Sequence, residues 1–288
     1  MGCASARTVL LFTEMKDGAL VLAGYDDGVT LFSRLRFLRC FLPACGSLLP
    51  ASRLMAKEVF QGRTIVIDPG HGGTTDTGSD KDRNRSSSNN ATSATLGIKE
   101  KDVTLELSLL IAERIAASPE AQSGKVRAVL TRSTDVNLNF TERAATVAEA
   151  GAVCFVSIHF NSHRSQRASG PRAVIQQAAK NPHYKADHTF ALALAKAVEK
   201  ASKTFHPKTP AAFVHDDHEL HKGRGSYLFY QFNADEKTGR IPACHLEVEF
   251  LDNMELERPF FADRKKEVFP AWAGAIAAEL IRQAQAAP

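Results

Sequence analysis

From Arg63 onward the chain alternates short β-branched or apolar runs with longer segments of helical spacing, and this alternation limits the fold more than any other feature. TIVID (64–68), VRAVLT (126–131), AVCFVSIHF (152–160), GPRAVIQQ (170–177), SYLFYQF (226–232) and ACHLEVEF (243–250) read as strands. Segment 101–118 carries Val103, Leu107, Leu110, Ile111 and Ile115 at helical spacing, and 139–151, 188–205 and 263–285 also read as helices. Gly151 supplies a helix stop and Pro270 a bend. Strands separated by helices can pair in parallel, because each crossover returns the chain to the same end of the sheet. The expected fold is α/β: a single domain over 61–288, with a mostly parallel twisted sheet covered by helices on both faces.

Residues 1–60 lack this periodicity and read as a poorly defined extension. Within it, RLRFLRCFLPACGSLLPAS (34–52) has the basic start, apolar middle and small-residue end of a secretory leader. It begins only at Arg34, so the alternative is a misplaced start, with the protein proper beginning near Met55. No stretch reaches the ~18 apolar residues of a transmembrane helix. The net charge of +4 is too small to point to nucleic acid. None of the five cysteines forms a C-x-x-C pair, which argues against a cysteine zinc site and a disulfide framework. Cys154 and Cys244 lie in apolar runs and read as buried thiols. Asp76–Ser93 is polar and without aromatics, the pattern of a flexible loop.

Open α/β sheets bind ligands at the carboxyl ends of their strands. His71 follows the first strand, His159 lies at the end of the third, Glu247 and Glu249 lie near the end of the last, and Glu100 opens a helix. Each has a structural alternative: a hydrogen-bonded histidine, a solvent-facing strand carboxylate, a charge favouring the helix dipole. Together they form the donor set of a catalytic zinc, which takes about three protein ligands. The glycines after His71 allow a tight turn and leave room for substrate. A phosphate-loop reading fails, because the phosphate-binding glycine patterns are absent and the next helix starts too far away. HDDHELH (215–221) places His215, His218 and His221 three apart, a spacing that drifts around a helix, and a polar surface loop near the cleft is the preferred reading.

IVIDPGHGG, GIKEKDVTLELSLLIAERI, LTRSTDVNLNFTERAATV, FVSIHFNS and HLEVEFLDN, in this order, resemble the zinc-dependent N-acetylmuramoyl-L-alanine amidases of the amidase-3 type. The resemblance implies one zinc ion per chain held by His71, Glu100 and His159, and a catalytic glutamate at Glu247 of the E-x-x-F-x-x-N pattern, with Phe250 and Asn253. It implies a peptidoglycan substrate, cleavage between N-acetylmuramic acid and L-alanine, and a place in the cell envelope, although the late leader-like stretch leaves the cytoplasm open. Arg132 and Asp135 match a scaffold segment. Two departures stand out. Glu249 replaces a small residue, and strand alternation puts it on the side of Glu247, where it could share the site. Segment 76–97 is longer than the family's spacer, and is a candidate cover for the cleft. Asn161 and Glu249 are candidates for contact with the ligands or substrate. Two other readings stay open: a non-catalytic peptidoglycan-binding or regulatory domain, and a zinc hydrolase of a different amide bond. Oligomeric state is also left open.

Overall fold

The structure is a computed structural model that describes residues 12–16, 19–23, 60–78, 84–220, 225–234 and 241–287. The leader-like stretch 34–52 and His221 lie outside these residues. The chain divides into two compact units, Met1–Lys57 and Glu58–Pro288. In the first, β1 (Phe12–Lys16) and β2 (Ala19–Ala23) pair antiparallel, from Phe12 opposite Ala23 to Lys16 opposite Ala19.

The second unit is built on six strands: β3 (Arg63–Pro69), β4 (Val126–Leu130), β5 (Ala152–Asn161), β6 (Arg172–Ile175), β7 (Phe213–Asp216) and β8 (Ala243–Phe250). Their spatial order is β4-β3-β5-β8-β6-β7. β4, β3, β5 and β8 run parallel to one another, β6 is antiparallel to β8, and β7 is parallel to β6. The helices are α1 (Glu100–Ala116), α2 (Pro119–Gln122), α3 (Phe140–Ala150), α4 (Tyr184–Lys203), α5 (Asp217–Leu220), α6 (Tyr227–Ala234) and α7 (Lys265–Ala286).

Alternation along the strands divides the core in two. Ile65, Ile67, Val156 and Ile158 join the larger cluster, with Leu107 and Ile111 of α1, Leu194 of α4 and Trp272 of α7. Val66 and Phe155 join the smaller one, with Val147 of α3 and Phe229 and Phe232 of α6. Helices therefore cover both faces of the sheet, as the alternating pattern requires. α3 has a reciprocal capping box between Asn139 and Glu142, and Gly151 closes it in the left-handed conformation at φ 58°. Pro270 lies inside α7, which continues through it.

Two sequence expectations are overturned. SYLFYQF (226–232) is not a strand: Leu228, Phe229 and Phe232 are buried together on one stripe of α6. Aromatic residues favour strands on average, but packing against α3 and β5 decides here. The HDDHELH segment is not a surface loop over its described part, since His215 lies in β7 and His218 in the short α5. His215 pairs with Glu219 through Nδ1 at 2.7 Å. Cys154 and Cys244 are free and buried, as their apolar context suggested. Among the described residues no helix is long and apolar enough to cross a membrane.

Asp187 joins α4 to the start of β8, accepting from the Asn181 side chain at 2.7 Å and the Ala243 amide at 3.1 Å. Burial raises its pKa from 3.8 to about 6. A carboxyl whose folded pKa lies above its unfolded value stabilises fully below the unfolded pKa, and that contribution is lost as pH rises through the folded one. Between pH 4 and pH 8, urea unfolding of wild type and Asp187→Asn is expected to diverge by about 3 kcal/mol in favour of the variant. A difference that does not change with pH would show that Asp187 ionises in the fold as freely as in the unfolded chain.

Candidate active site

Four chain segments meet at the carboxyl end of the parallel strands. β3 delivers His71 two residues past its end, β5 carries His159, β8 carries Glu247 in register with His159, and α1 begins at Glu100. One ligand atom from each of His71, Glu100 and His159 lies within 4.8 Å of the others. Glu100 Oε1 is 3.2 Å from His71 Nε2 and 3.0 Å from His159 Nδ1, and the imidazoles meet edge to face at 5.0 Å.

The hydrogen bonds behind these atoms decide what they present. His71 Nδ1 lies 2.9 Å from the Ser87 carbonyl oxygen. A carbonyl only accepts, so Nδ1 carries the proton and Nε2 presents a lone pair. Glu100 is 1% exposed, with Oε2 accepting from the Ala91 amide at 2.8 Å and Oε1 from the Phe160 amide at 3.2 Å. Burial pushes its pKa up, but His71 and His159 outweigh burial and hold it below the usual carboxylate range. Burial lowers the pKa of both histidines; for His71 the nearby Glu100 charge reverses this and raises it, whereas His159 stays lowered. The result is a buried anionic oxygen with an imidazole nitrogen on either side, a donor set suited to a small divalent cation.

The DPGH turn is rigidly held. Arg143 and Asp68, both 1% exposed, form a buried ion pair, and Arg143 also donates to the Pro69 and His71 carbonyls at 3.1 and 3.0 Å. Arg132 donates to the carbonyls of Pro69, Gly70 and Lys101, each at 2.9 Å. Asp135 accepts from the Gly73 amide at 2.8 Å and the Lys101 ammonium at 2.6 Å. The two residues of the LTR-x-x-D segment thus bind the turn to α1. These contacts keep His71 at φ 61°, a left-handed conformation that costs a non-glycine residue roughly 1–2 kcal/mol.

The glycines do not make room for substrate. A Cβ on Gly72 would strike the Val136 carbonyl, and one on Gly70 would strike the His159 ring. The clearance is for the protein's own backbone and the His159 ring. Gly70→Ala is expected to push the His159 ring aside, at an overpacking cost of about 1–3 kcal/mol. A thermal melt together with a zinc titration checks this, and unchanged values in both would refute it.

Segment 76–97 is built into the site over its described part, where 76–93 was expected to be a flexible loop or insertion and 76–97 a cover for the cleft. Thr77 bridges Ser86 and Thr92 bridges Lys99. Ser87 supports His71, Ala91 supports Glu100, and Glu257 accepts from the Thr95 amide at 2.9 Å.

Glu247 is half-buried, and its Oε2 is shut from solvent with no hydrogen-bond partner among the described residues. Burial and then the neighbouring Glu100 charge raise its pKa to about 8, against the pull of Arg172. Glu249 differs. The β5–β8 register shifts between His159 and Asn161, so that Glu247 opposes His159 but Phe250 opposes Asn161. The bulge falls beyond Glu247, since Leu246 and Val248 still alternate into the larger core. Glu249 is 0% exposed and accepts from the Gly170 and Phe250 amides at 2.6 and 2.9 Å. It anchors the segment before β6 through Oε1, while its Oε2 is buried without a hydrogen-bond partner among the described residues and its charge, like that of Glu247, acts on Arg172. Asn161 is half-buried at the end of β5, and its Oδ1 accepts from the Ser162 amide at 2.8 Å. Sequence reasoning missed His245, whose ring stacks on His159 at 5.0 Å and meets Phe229 at 4.8 Å. Its position two before Glu247 was the available signal. Among the described residues His71, Glu100 and His159 are the only group of three such side chains close enough together to hold a metal ion.

A family profile described as N-acetylmuramoyl-L-alanine amidase matches residues 65–278, most of the chain and every residue of this site. The chain belongs to that family. The Haemophilus influenzae protein named "Probable N-acetylmuramoyl-L-alanine amidase AmiB" is 35% identical over 107 residues, which are 37% of this chain and only 21% of that relative. N-acetylmuramoyl-L-alanine amidase AmiC2 of Nostoc punctiforme shares the fold at a TM-score of 0.51, with 22% identity over 77% of this chain and 97% of its own. The catalytic domain of CwlV, an amidase of Bacillus (Paenibacillus) polymyxa var. colistinus, does so at 0.52, with 23% identity over 78% and 99%. The six-stranded, mostly parallel sheet is thus the amidase fold.

Proposed function

We propose that this amidase-family chain hydrolyses the amide joining the lactyl group of N-acetylmuramic acid to L-alanine in peptidoglycan. In this reading residues 61–288 are the catalytic domain, His71, Glu100 and His159 hold one zinc ion, and Glu247 handles protons. The observation that carries it is the convergence of two imidazole nitrogens and a buried carboxylate oxygen beside the unpaired carboxylate of Glu247. Bound zinc supplies Lewis acidity, which polarises the scissile carbonyl and lowers the pKa of water. Glu247 takes a proton from the attacking water and returns it to the leaving nitrogen of L-alanine. Its half-buried setting leaves Oε2 free for that exchange, since no backbone amide occupies it. Glu100 cannot substitute, because backbone amides hold both of its oxygens.

Mass spectrometry of purified peptidoglycan after digestion tests the bond. Release of intact stem peptides with a free L-alanine amine is expected. Cuts within the peptide would favour a zinc peptidase, and binding of wall fragments without release would favour a non-catalytic wall-binding domain. On the family resemblance the protein acts in the cell envelope. N-terminal sequencing of the native protein checks that placement by showing whether 34–52 is removed.

A further inference from the structure

Asp68 has no part in the scheme above, yet its carboxylate lies at the end of a hydrogen-bond chain that reaches a ligand. Oδ1 takes the Arg143 guanidinium and the Thr131 hydroxyl, the latter at 2.5 Å. Oδ2 takes the Ser157 hydroxyl at 2.6 Å. Ser157 is 0% exposed, and its Oγ lies 3.0 Å from His159 Nε2. A serine has one hydroxyl proton. A carboxylate paired with a buried guanidinium is ionised and only accepts, so that proton points at Asp68. Ser157 Oγ then meets Nε2 as an acceptor, which requires the ring proton on Nε2. A neutral imidazole protonated there has its lone pair on Nδ1, the nitrogen 3.0 Å from Glu100 Oε1.

We infer that Asp68 and Ser157 are a positioning pair that holds His159 in its Nε2–H tautomer and so presents Nδ1 to the metal. The inference rests on the reading that His71, Glu100 and His159 hold zinc. The two histidines are set differently. His71 Nδ1 meets both the carbonyl and the hydroxyl of Ser87, at 2.9 and 3.0 Å, and the carbonyl remains whatever side chain stands there. The tautomer of His159 depends on two side chains contributed by β3 and β5, which lie side by side with Asp68 opposite Ser157. A reversed chain, with Ser157 donating to His159, would place the ring proton on Nδ1 and block metal binding.

Ser157→Ala removes the acceptor and leaves the Asp68–Arg143 pair intact. It is expected to lower affinity for zinc(II), measured against a chromophoric chelator, by about 10–100-fold. The cobalt(II) d–d spectrum should change with it, while the melt of chelator-treated protein stays near wild type. Asp68→Asn places an amide that can donate to Ser157, which reverses the hydroxyl, so its loss should be at least as large. Long-range proton–nitrogen NMR of the wild-type protein reads the tautomer directly, and needs no variant to fold. The expected result is a proton on Nε2 of His159. A proton on Nδ1, or wild-type zinc affinity and an unchanged cobalt spectrum in Ser157→Ala, overturns the inference. If wild type itself takes up no zinc, the metal reading fails, and the NMR spectrum still decides whether the pair sets the tautomer.

Discussion

Glu247→Ala is expected to reduce kcat for stem-peptide release by about 10²–10⁴-fold, the range of a general acid–base group, while one zinc per chain is retained. The two readouts separate because Glu247 stands beside the His71–Glu100–His159 group and is not part of it. Glu247 opposes His159 in the β5–β8 ladder, so its side chain is held on the ligand side of the sheet. Its Oε2 makes no hydrogen bond among the described residues, so truncation leaves no structural donor unsatisfied. Glu249→Ala is the control. That carboxylate accepts from two backbone amides, and its loss is expected to destabilise the fold by about 1–3 kcal/mol with chemistry preserved in the folded fraction. Full activity in Glu247→Ala with loss in folded Glu249→Ala would reverse the assignment. Elemental analysis and mass spectrometry of released peptides measure both arms.

Much of this arrangement was legible before any coordinates. Strand–helix alternation implied the parallel sheet, and the strand-end rule pointed to His71, His159 and Glu247 because polar residues follow apolar runs there. What stayed hidden depends on register and on long-range closure. The bulge in β8 is invisible in ACHLEVEF, which alternates cleanly, so the hold of Glu249 on the Gly170 and Phe250 amides was not foreseen. Ser87 lies in a polar stretch with the composition of a flexible loop, and only its approach to His71 gives it a role. Ser157 reads as one small residue in a buried strand, with nothing local to mark its place between Asp68 and His159. α6 was misread because its aromatic content mimics a strand, whereas its burial follows a helical stripe. The glycines after His71 were recognised as necessary, but the group that Gly72 clears is distant in sequence.

Glu100→Gln should have the opposite profile to Glu247→Ala: metal and activity lost together, with the fold intact. Glu100 Oε1 lies between two ring nitrogens and its charge is buried at 1% exposure. A buried anion is tolerated when cations or strong donors face it, and here the Ala91 and Phe160 amides donate to it with an imidazole on either side of Oε1. A glutamine amide donates where the carboxylate accepts, so its NH₂ satisfies the imidazole lone pairs without a metal. Its carbonyl can still take the Ala91 amide, but the Phe160 amide, which donated to Oε1, loses its acceptor. Zinc affinity should therefore fall by more than the roughly 10–100-fold that an outer hydrogen-bond partner is worth, because a ligand and its charge are both gone. The metal-free variant should melt close to metal-free wild type, since removal of a buried charge offsets the loss of the Phe160 hydrogen bond. Zinc at about 1,000 times its dissociation constant adds about 4 kcal/mol to wild type by mass action. Calorimetry with and without zinc should show that gain in wild type and Glu247→Ala, and its loss in Glu100→Gln. If Glu100→Gln keeps the zinc-dependent rise, the metal is held elsewhere. A variant that loses zinc and also melts far below metal-free wild type would mean that the negative charge of Glu100 holds α1 to β5 in its own right.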